Sequence, residues 1–220
     1  EGEYSSMGGR IHSGFPHEIV VQNTVFTRLG TERIIRYGFE LAAKSPRRRL
    51  CGATKSNGIN WTMPFWDEVF NQIGEKEFPE IERSLVHIDA LSAFFVLKPD
   101  TFDVVVASNL FGDILTDEAS VISGSMGLMP SASVGAKVSL FEPIHGSYPQ
   151  AAGKNIANPL ATVLSAAMMF ETGFGLKNEG QAIRNVVNKS LSEGVVTEDL
   201  ADGGRSFSTS EVGDWLADNI

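Results

Sequence analysis

Short apolar segments of strand length alternate with longer amphipathic segments from about residue 18 onward, and this alternation limits the fold more than any other feature of the sequence. Residues 50–54, 85–88 and 102–107 are predicted strands, and a predicted helix follows each of them. Strands that alternate with helices form parallel or mixed sheets whose faces the helices cover. The sequence therefore predicts an α/β fold.

The other predicted elements continue the same alternation. A strand or extended arm is expected over residues 18–26, and a further strand over residues 138–141. Asn109 is a predicted helix cap, and Ser208 with Glu211 has the spacing of a capping box. The predicted helices span residues 31–44, 64–74, 90–98, 110–122, 159–171, 178–193 and 209–219.

Glycine, serine and proline concentrate in residues 124–136, which is typical of a connection between domains. We therefore expect two domains, residues 1–123 and residues 124–220. The spacing G-x-G-x-x-G occurs nowhere in the chain, so the sequence has no Rossmann fingerprint.

Composition excludes several classes of protein. With 42% hydrophobic and 20% charged residues, the chain can bury a core and is not predicted to be disordered. The net charge of −9 argues against a nucleic-acid partner, and no apolar stretch is long enough for a predicted membrane span. A single cysteine, Cys51, and no visible signal peptide favour a cytoplasmic location.

Three aspartates are candidate metal ligands. Asp113 and Asp117 follow the predicted strand 102–107 and stand four residues apart, so one helix face carries both carboxylates. A divalent cation would offset their repulsion, and oxygen ligands favour Mg²⁺ or Mn²⁺. Asp89 follows another predicted strand and is either a helix cap or a third ligand. Two solvated surface acids are the alternative, but ligands of open α/β sheets bind at the carboxyl ends of strands.

Two residues are candidates for proton transfer. Lys55 closes the predicted strand 50–54, where a neighbouring cation would disfavour its ammonium form and leave a base. An ordinary surface lysine is the alternative. Tyr4 lies in a glycine-rich segment and is either an acid or an anchor for that segment.

A polar loop rich in glycine and serine connects the strand 138–141 to the helix that starts near residue 159. Backbone N–H groups of such a loop bind phosphates, and the following helix N-terminus assists. The loop contains His145, which by itself is more typical of a structural hydrogen-bonding residue. A zinc site is not predicted, because the four histidines and one cysteine lack ligand spacing.

Taken together, these segments resemble the β-decarboxylating dehydrogenases, the family of isopropylmalate, isocitrate, homoisocitrate, tartrate and D-malate dehydrogenases. Four motifs match in order over essentially the whole chain. They are Thr-Lys-Ser-Asn at 54–57, His-Ile-Asp at 87–89, Asn-Leu-Phe-Gly-Asp-Ile-Leu-Thr-Asp at 109–117 and Glu-Pro-Ile-His-Gly-Ser at 142–147 with its continuation to Asn158.

The resemblance implies a two-domain fold of the isopropylmalate dehydrogenase type, with mixed or parallel sheets. Residues 1–123 would form the substrate, metal and dimerisation domain, and residues 124–220 the C-terminal half of the dinucleotide-binding domain. The cofactors implied are NAD and Mg²⁺ or Mn²⁺. The partner implied is a second copy, because the family's lysine and first aspartate reach into the neighbouring subunit's active site.

The resemblance also assigns individual roles. Tyr4 and Lys55 match the catalytic tyrosine and lysine. Asp89, Asp113 and Asp117 match the metal ligands. The positions that match contacts to the adenosine part of the dinucleotide are His145, Gly146, Ser147 and Asn158.

Two departures from the family pattern affect what the resemblance implies. Gln150 stands where NAD-dependent relatives usually carry an aspartate for the ribose hydroxyls, but the Lys-Tyr pair typical of NADP-dependent isocitrate enzymes is absent, so NAD is favoured. The family's N-terminal segment, which supplies arginines for the substrate carboxylates, has no counterpart before Glu1. The chain is therefore expected to be a fragment of the family fold and to be inactive by itself.

The implied function is oxidative decarboxylation of a malate-type hydroxy-dicarboxylate. Residues 1–10 and 54–68 look most like tartrate and D-malate dehydrogenases, and residues 117–130 look closer to 3-isopropylmalate dehydrogenases of leucine biosynthesis. We favour tartrate or D-malate, with 3-isopropylmalate as the alternative. A second alternative is an incomplete or interaction subunit of the same family.

Overall fold

The computed structural model of the chain describes residues 2–220, so Glu1, the first residue of the tartrate-like segment, lies outside the described residues. The chain divides into two units, Glu1–Glu118 and Ala119–Ile220. The elements up to the second unit are β1 (Gly8–Ile11), β2 (Ile19–Gln22), α1 (Arg28–Lys44), β3 (Arg49–Thr54), α2 (Thr62–Glu77), β4 (Glu82–His87), α3 (Ile88–Leu97), β5 (Val104–Val106) and α4 (Asn109–Ile122), which ends in the second unit.

A parallel sheet of order β4-β3-β5 forms the centre of the first unit, and β1 and β2 form a separate antiparallel hairpin. The central strand β3 is buried from Leu50 to Thr54 because helices pack against the sheet. On α1, Ile35, Phe39 and Ala42 recur at helical spacing and are fully buried. The buried aromatic residues Trp66 and Phe70 of α2 belong to the same core.

Close approach of α1 to the sheet depends on a glycine. A Cβ added to Gly38 would lie 3.1 Å from the Cβ of Val106, so even an alanine would require the helix or β5 to shift by a few tenths of an ångström. Cys51 lies on β3 and is buried, with 6% of its surface exposed.

In the second unit an antiparallel hairpin accompanies a group of helices. Its elements are β6 (Pro130–Val134), β7 (Ser139–Pro143), α5 (Leu160–Met168), a π-helical turn (Met169–Gly173), α6 (Lys177–Glu193) and α7 (Thr209–Asn219). Its core contains Leu160, Val186, Val187, Val212 and Leu216, which come from three helices.

The structure confirms the predicted α/β class with its parallel sheet, and the capping box of Ser208 and Glu211 is present at the start of α7. Strands β1 and β6 are not predicted by the sequence. Strand β1 has four residues, two of them glycine, and strand β6 has five, two of them serine, so neither carries a long run of residues that favour strands. Each is a strand because it pairs with a partner strand that follows it.

Helix α1 begins three residues before its predicted start, because the side chain of Thr27 accepts a hydrogen bond from the Gly30 backbone N–H. Helix α5 ends earlier than predicted, and the π-helical turn takes up the remaining residues. In the part of the chain that the structure describes, no helix is long and apolar enough to cross a membrane.

Candidate active site

The first candidate pair lies at the carboxyl ends of β3 and β4. Lys55 directly follows β3, and Asp89 lies in the first turn of α3, which follows β4. Because Thr54 and His87 are register partners in the parallel pair, the two side chains come together, with Lys55 Nζ 2.9 Å from Asp89 Oδ1. The hydrogen bond from Lys55 lowers the pKa of the Asp89 carboxyl.

The second candidate pair joins the N-terminal segment to α4, the helix that follows β5. The Tyr4 hydroxyl donates a hydrogen bond to Asp113 Oδ2 at 2.8 Å. This hydrogen bond is the main reason that the pKa of Tyr4 is raised, since it favours the protonated phenol. The tyrosine side chain is otherwise accessible, with 56% of the residue exposed.

Asp117 lies one turn after Asp113 on the same helix. Within residues 2–220, no three His, Cys, Asp or Glu side chains form a group that could hold a metal ion. The predicted residues are therefore brought together as two pairs, Tyr4 with Asp113 and Lys55 with Asp89, and the three aspartates do not converge within one chain. The expectation that Lys55 and Asp89 serve a neighbouring subunit's site stays a prediction.

In the second unit, a cavity of about 530 Å³ contains four of the five predicted dinucleotide-binding residues. Its lining residues are Met126, Gly127, His145, Gly146, Ser147, Tyr148, Ile156, Ala157, Asn158, Glu198 and Asp199. The fifth predicted residue, Gln150, does not line the cavity; it lies in the 3-10 turn Pro149–Ala151, directly after the lining residue Tyr148. The volume is in the usual range for small-molecule and cofactor sites.

A hydrogen-bond network fixes Asn158 in this cavity. Its amide nitrogen donates to Asp199 Oδ2 at 2.9 Å, and its amide oxygen accepts from the Leu160 backbone N–H at 2.9 Å. Asp199 also accepts from the hydroxyls of Ser125 and Thr197, at 2.6 and 2.5 Å. Although burial raises the pKa of the Asp199 carboxyl, these hydrogen bonds outweigh it and hold that pKa below its ordinary value.

Sequence reasoning missed Asp199 and Glu198 in the second unit and Glu3 in the first. The adjacent acids at 198 and 199, which lie in the 3-10 turn Glu198–Leu200 between α6 and α7, were the available signal for the second unit. Glu3 accepts hydrogen bonds from the Ser108 hydroxyl at 2.9 Å and from the Leu110 backbone N–H at 3.4 Å. Its only sequence signal is its position beside Tyr4.

Comparison with known proteins gives one family. The model of the isocitrate/isopropylmalate dehydrogenase family matches residues 1–216. A probable tartrate dehydrogenase/decarboxylase of Bacillus subtilis is 50% identical over all of this chain and 61% of its own length. A decarboxylating D-malate dehydrogenase of Escherichia coli is 49% identical over 91% of this chain and 57% of its own length.

Two further similarities bear on substrate and fold. A 3-isopropylmalate dehydrogenase of Bacteroides fragilis is 46% identical over 89% of this chain and 55% of its own length. The crystal structure of isocitrate dehydrogenase from Methylococcus capsulatus superposes with a TM-score of 0.90 at 35% identity, over all of this chain and 64% of that one. The chain thus spans between 55% and 61% of the length of these curated relatives.

Proposed function

Because the chain belongs to the isocitrate/isopropylmalate dehydrogenase family, we propose that it carries the proton-transfer, metal-binding and adenosine-binding residues of an NAD-dependent oxidative decarboxylase. The substrate proposed is a malate-type 2-hydroxy acid. The observation that carries the proposal is the pairing of Tyr4 with Asp113 and of Lys55 with Asp89. Each pair joins a group able to transfer a proton to a carboxylate able to bind a hard cation.

The chemistry of the aspartates fits a divalent cation. Asp113 and Asp117, one turn apart on α4, supply the oxygen ligands that Mg²⁺ and Mn²⁺ prefer. Asp89 is held by Lys55 and completes no three-residue group with them among residues 2–220. We therefore infer that the α4 pair and Asp89 belong to different sites of a homodimer, with Asp89 serving the partner's site.

When bound, the cation would polarise the substrate's hydroxyl and later ketone oxygen, and NAD would accept the hydride. Lys55, once deprotonated, would accept the proton of that hydroxyl as the carbon is oxidised. Tyr4 would donate a proton to the carbon that loses CO₂. The hydrogen bond to Asp113 supports this second role, because it favours the protonated tyrosine and points its hydroxyl toward the proposed ligand pair.

The cavity of the second unit supports NAD over NADP. Glu198 and Asp199 line it, and none of its lining residues in the described chain is a lysine or arginine. A 2′-phosphate in such surroundings would meet carboxylates without a lysine or arginine to offset them, whereas ribose hydroxyls would find acceptors. His145, Gly146, Ser147 and Asn158 would hold the adenosine part.

Tartrate or D-malate is favoured as the substrate because the tartrate and D-malate enzymes share 50% and 49% identity with the chain. The segment 117–130, which looks closer to 3-isopropylmalate dehydrogenases, and the 46% identity of one such enzyme support 3-isopropylmalate as the second candidate.

The test is a spectrophotometric assay of the protein as its gene encodes it, with Mn²⁺ and either NAD or NADP. We expect NADH to form with tartrate or D-malate, and a smaller kcat/KM with 3-isopropylmalate. A larger kcat/KM with 3-isopropylmalate would select the second candidate. NADH formation that persists in Lys55→Ala, with Lys44→Ala as the surface-lysine control, would contradict the proposed mechanism.

A further inference from the structure

Tyr4 is exposed and precedes the first strand, so its place beside Asp113 needs a support outside its own side chain. We propose that Glu3 is the positioning residue for Tyr4. By capping the first turn of α4 with its carboxylate, Glu3 fixes the segment from which Tyr4 reaches Asp113 on the same helix. This inference rests on the proton-transfer role proposed for Tyr4.

The contacts of Glu3 are those of a helix cap supplied from a distant part of the chain. One carboxylate oxygen accepts from the Ser108 hydroxyl at 2.9 Å, and the other accepts from the Leu110 backbone N–H at 3.4 Å. The first N–H groups of a helix have no partner within it, and a negative charge is favourable at this end of the helix. Ser108 is 3% exposed, so the cap closes over a buried hydroxyl.

A second attachment lies on the other side of Glu3. Gly2 forms an antiparallel bridge with Val25, in which each backbone N–H donates to the other's carbonyl, at 2.6 and 3.1 Å. Gly2 adopts a φ of +86°, which a residue with a side chain rarely accepts. Gly2, Glu3 and Tyr4 therefore contact four other residues between them, and the attachments of Gly2 and Glu3 fix the backbone that leads into Tyr4.

The geometry connects the cap to the reactive group through α4. Leu110, which donates to Glu3, and Asp113, which accepts from Tyr4, are three residues apart and lie on one helix face. Loss of the cap would release the segment from this face while leaving the Tyr4 hydroxyl and Asp113 chemically intact. Glu3 thus acts on the reaction through Tyr4 and touches no reacting atom itself.

The experiment compares Glu3→Ala and Tyr4→Phe with their double mutant in the protein as its gene encodes it. We expect Glu3→Ala to lower kcat about tenfold with the KM for NAD unchanged. In the Tyr4→Phe background the same change should have little further effect on kcat. An equal loss in both backgrounds, or no loss in the single variant, would overturn the proposal.

A matched control separates positioning from simple loss of a helix cap. Ser208→Ala removes the cap of α7 and should lower the melting temperature as Glu3→Ala does, but leave kcat unchanged. The solvent deuterium isotope effect on kcat should rise in Glu3→Ala, because proton return becomes slower, and stay unchanged in Ser208→Ala. An isotope effect equal to that of the wild type would contradict a role through Tyr4.

A milder variant covers the case in which Glu3→Ala does not fold. Glu3→Gln keeps one acceptor oxygen and should give an intermediate loss of kcat. If Glu3→Gln folds and has the kcat and the isotope effect of the wild type, the proposal is contradicted. Full activity of Tyr4→Phe would instead refute the proposed role of Tyr4, and the Glu3 inference with it. Loss of activity in Tyr4→Phe beside wild-type kinetics in Glu3→Ala would refute only the role of Glu3.

Discussion

Each predicted proton-transfer residue lies beside a carboxylate, at 2.8 Å for Tyr4 and 2.9 Å for Lys55. The two contacts differ in kind, because the tyrosine contact is a hydrogen bond from a neutral group and the lysine contact is an ion pair. A cation bound at the aspartates would compete for the same oxygen atoms. Proton transfer and metal binding are therefore expected to depend on each other at both residues.

The first prediction at this scale concerns Asp113. Asp113→Asn removes one full negative charge from the proposed ligand pair, so we expect Mn²⁺ to bind at least about tenfold more weakly, or about 1.4 kcal/mol. Calorimetric titration with Mn²⁺ measures this change. Glu118→Gln removes the same charge from the same helix, at a carboxylate bound to the Ser92 hydroxyl, and serves as the control. Equal Mn²⁺ affinity in Asp113→Asn and the wild type would exclude Asp113 as a ligand.

The second prediction at this scale concerns Gln150. Gln150→Asp should raise the ratio of kcat/KM for NAD to that for NADP, since a carboxylate accepts from both ribose hydroxyls and repels a 2′-phosphate. Gln150→Asn, which keeps the neutral amide, is the control. Gln150 lies in the turn after the lining residue Tyr148 and does not itself line the cavity. An unchanged ratio of kcat/KM values would therefore assign the cofactor choice to Glu198 or Asp199 instead.

At the scale of elements, the sequence predicts those helices and strands whose own side chains carry the pattern. Residues 35, 39 and 42 of α1 recur on one face, and this spacing suffices to predict the helix. The strands β1 and β6 have only four and five residues, too few for a distinct pattern, and their conformation depends on pairing with β2 and β7. The strand propensity of a segment is read from that segment alone, whereas strand pairing depends on two segments, so it cannot be predicted from either one by itself.

The same difference explains how much of the site was predictable. Strand ends in a parallel sheet meet at one edge, so Lys55 and Asp89 could be identified from their positions after β3 and β4. Glu3 accepts a hydrogen bond from Ser108, which is 105 residues away in the sequence. Asp199 accepts one from Asn158, which is 41 residues away. No local spacing in the sequence encodes contacts of this kind.

The prediction at the scale of elements concerns the stability that Asp199 provides. Asp199 accepts hydrogen bonds from Ser125 and from Asn158, so it connects the turn at Ser125 to the start of α5. Its pKa is lowered in the folded protein, so its contribution to stability is present above the ordinary carboxyl pKa of about 3.9 and is lost as pH falls through the lower folded value. We expect Asp199→Asn to have a lower melting temperature than the wild type at neutral pH. The difference should shrink as pH falls below that ordinary value and through the lower pKa of the folded protein.

Thermal unfolding followed by circular dichroism at several pH values tests this expectation. Asp202→Asn is the control, since Asp202 is exposed and near in sequence. A loss of melting temperature in Asp199→Asn that is the same at every pH would mean that the carboxylate charge does not carry the effect.

At the scale of the whole molecule, the division of the predicted residues into two pairs fits the homodimer with shared sites that we propose. Helix α4 buries Phe111 and Leu115 but leaves Ile114 and Val121 exposed, at 53% and 78%. An apolar helix face exposed in this way is typical of a subunit interface. The exposed face and the separation of Asp89 from the α4 pair are both expected of the proposed homodimer.

Subunit mixing tests this arrangement. Lys55→Ala and Asp113→Ala should each be inactive as homodimers, whereas heterodimers of the two should regain activity. One of their two sites carries both defects and the other carries neither, so about half of the wild-type activity per heterodimer is expected for independent sites. Heterodimers confirmed by mass spectrometry that stay inactive would mean that Lys55 acts within its own chain.

The burial of Cys51 within β3 has a practical consequence. Burial raises the pKa of its thiol, and the thiolate is the form that reacts with alkylating dyes. A cysteine introduced by Val138→Cys, at an exposed position outside α4, would therefore be labelled selectively in an otherwise native background, since Cys51 is the chain's single cysteine. One batch of protein would carry a donor fluorophore at this cysteine and another batch an acceptor. After mixing, the exchange of chains between the proposed dimers would produce energy transfer, which can be followed in real time.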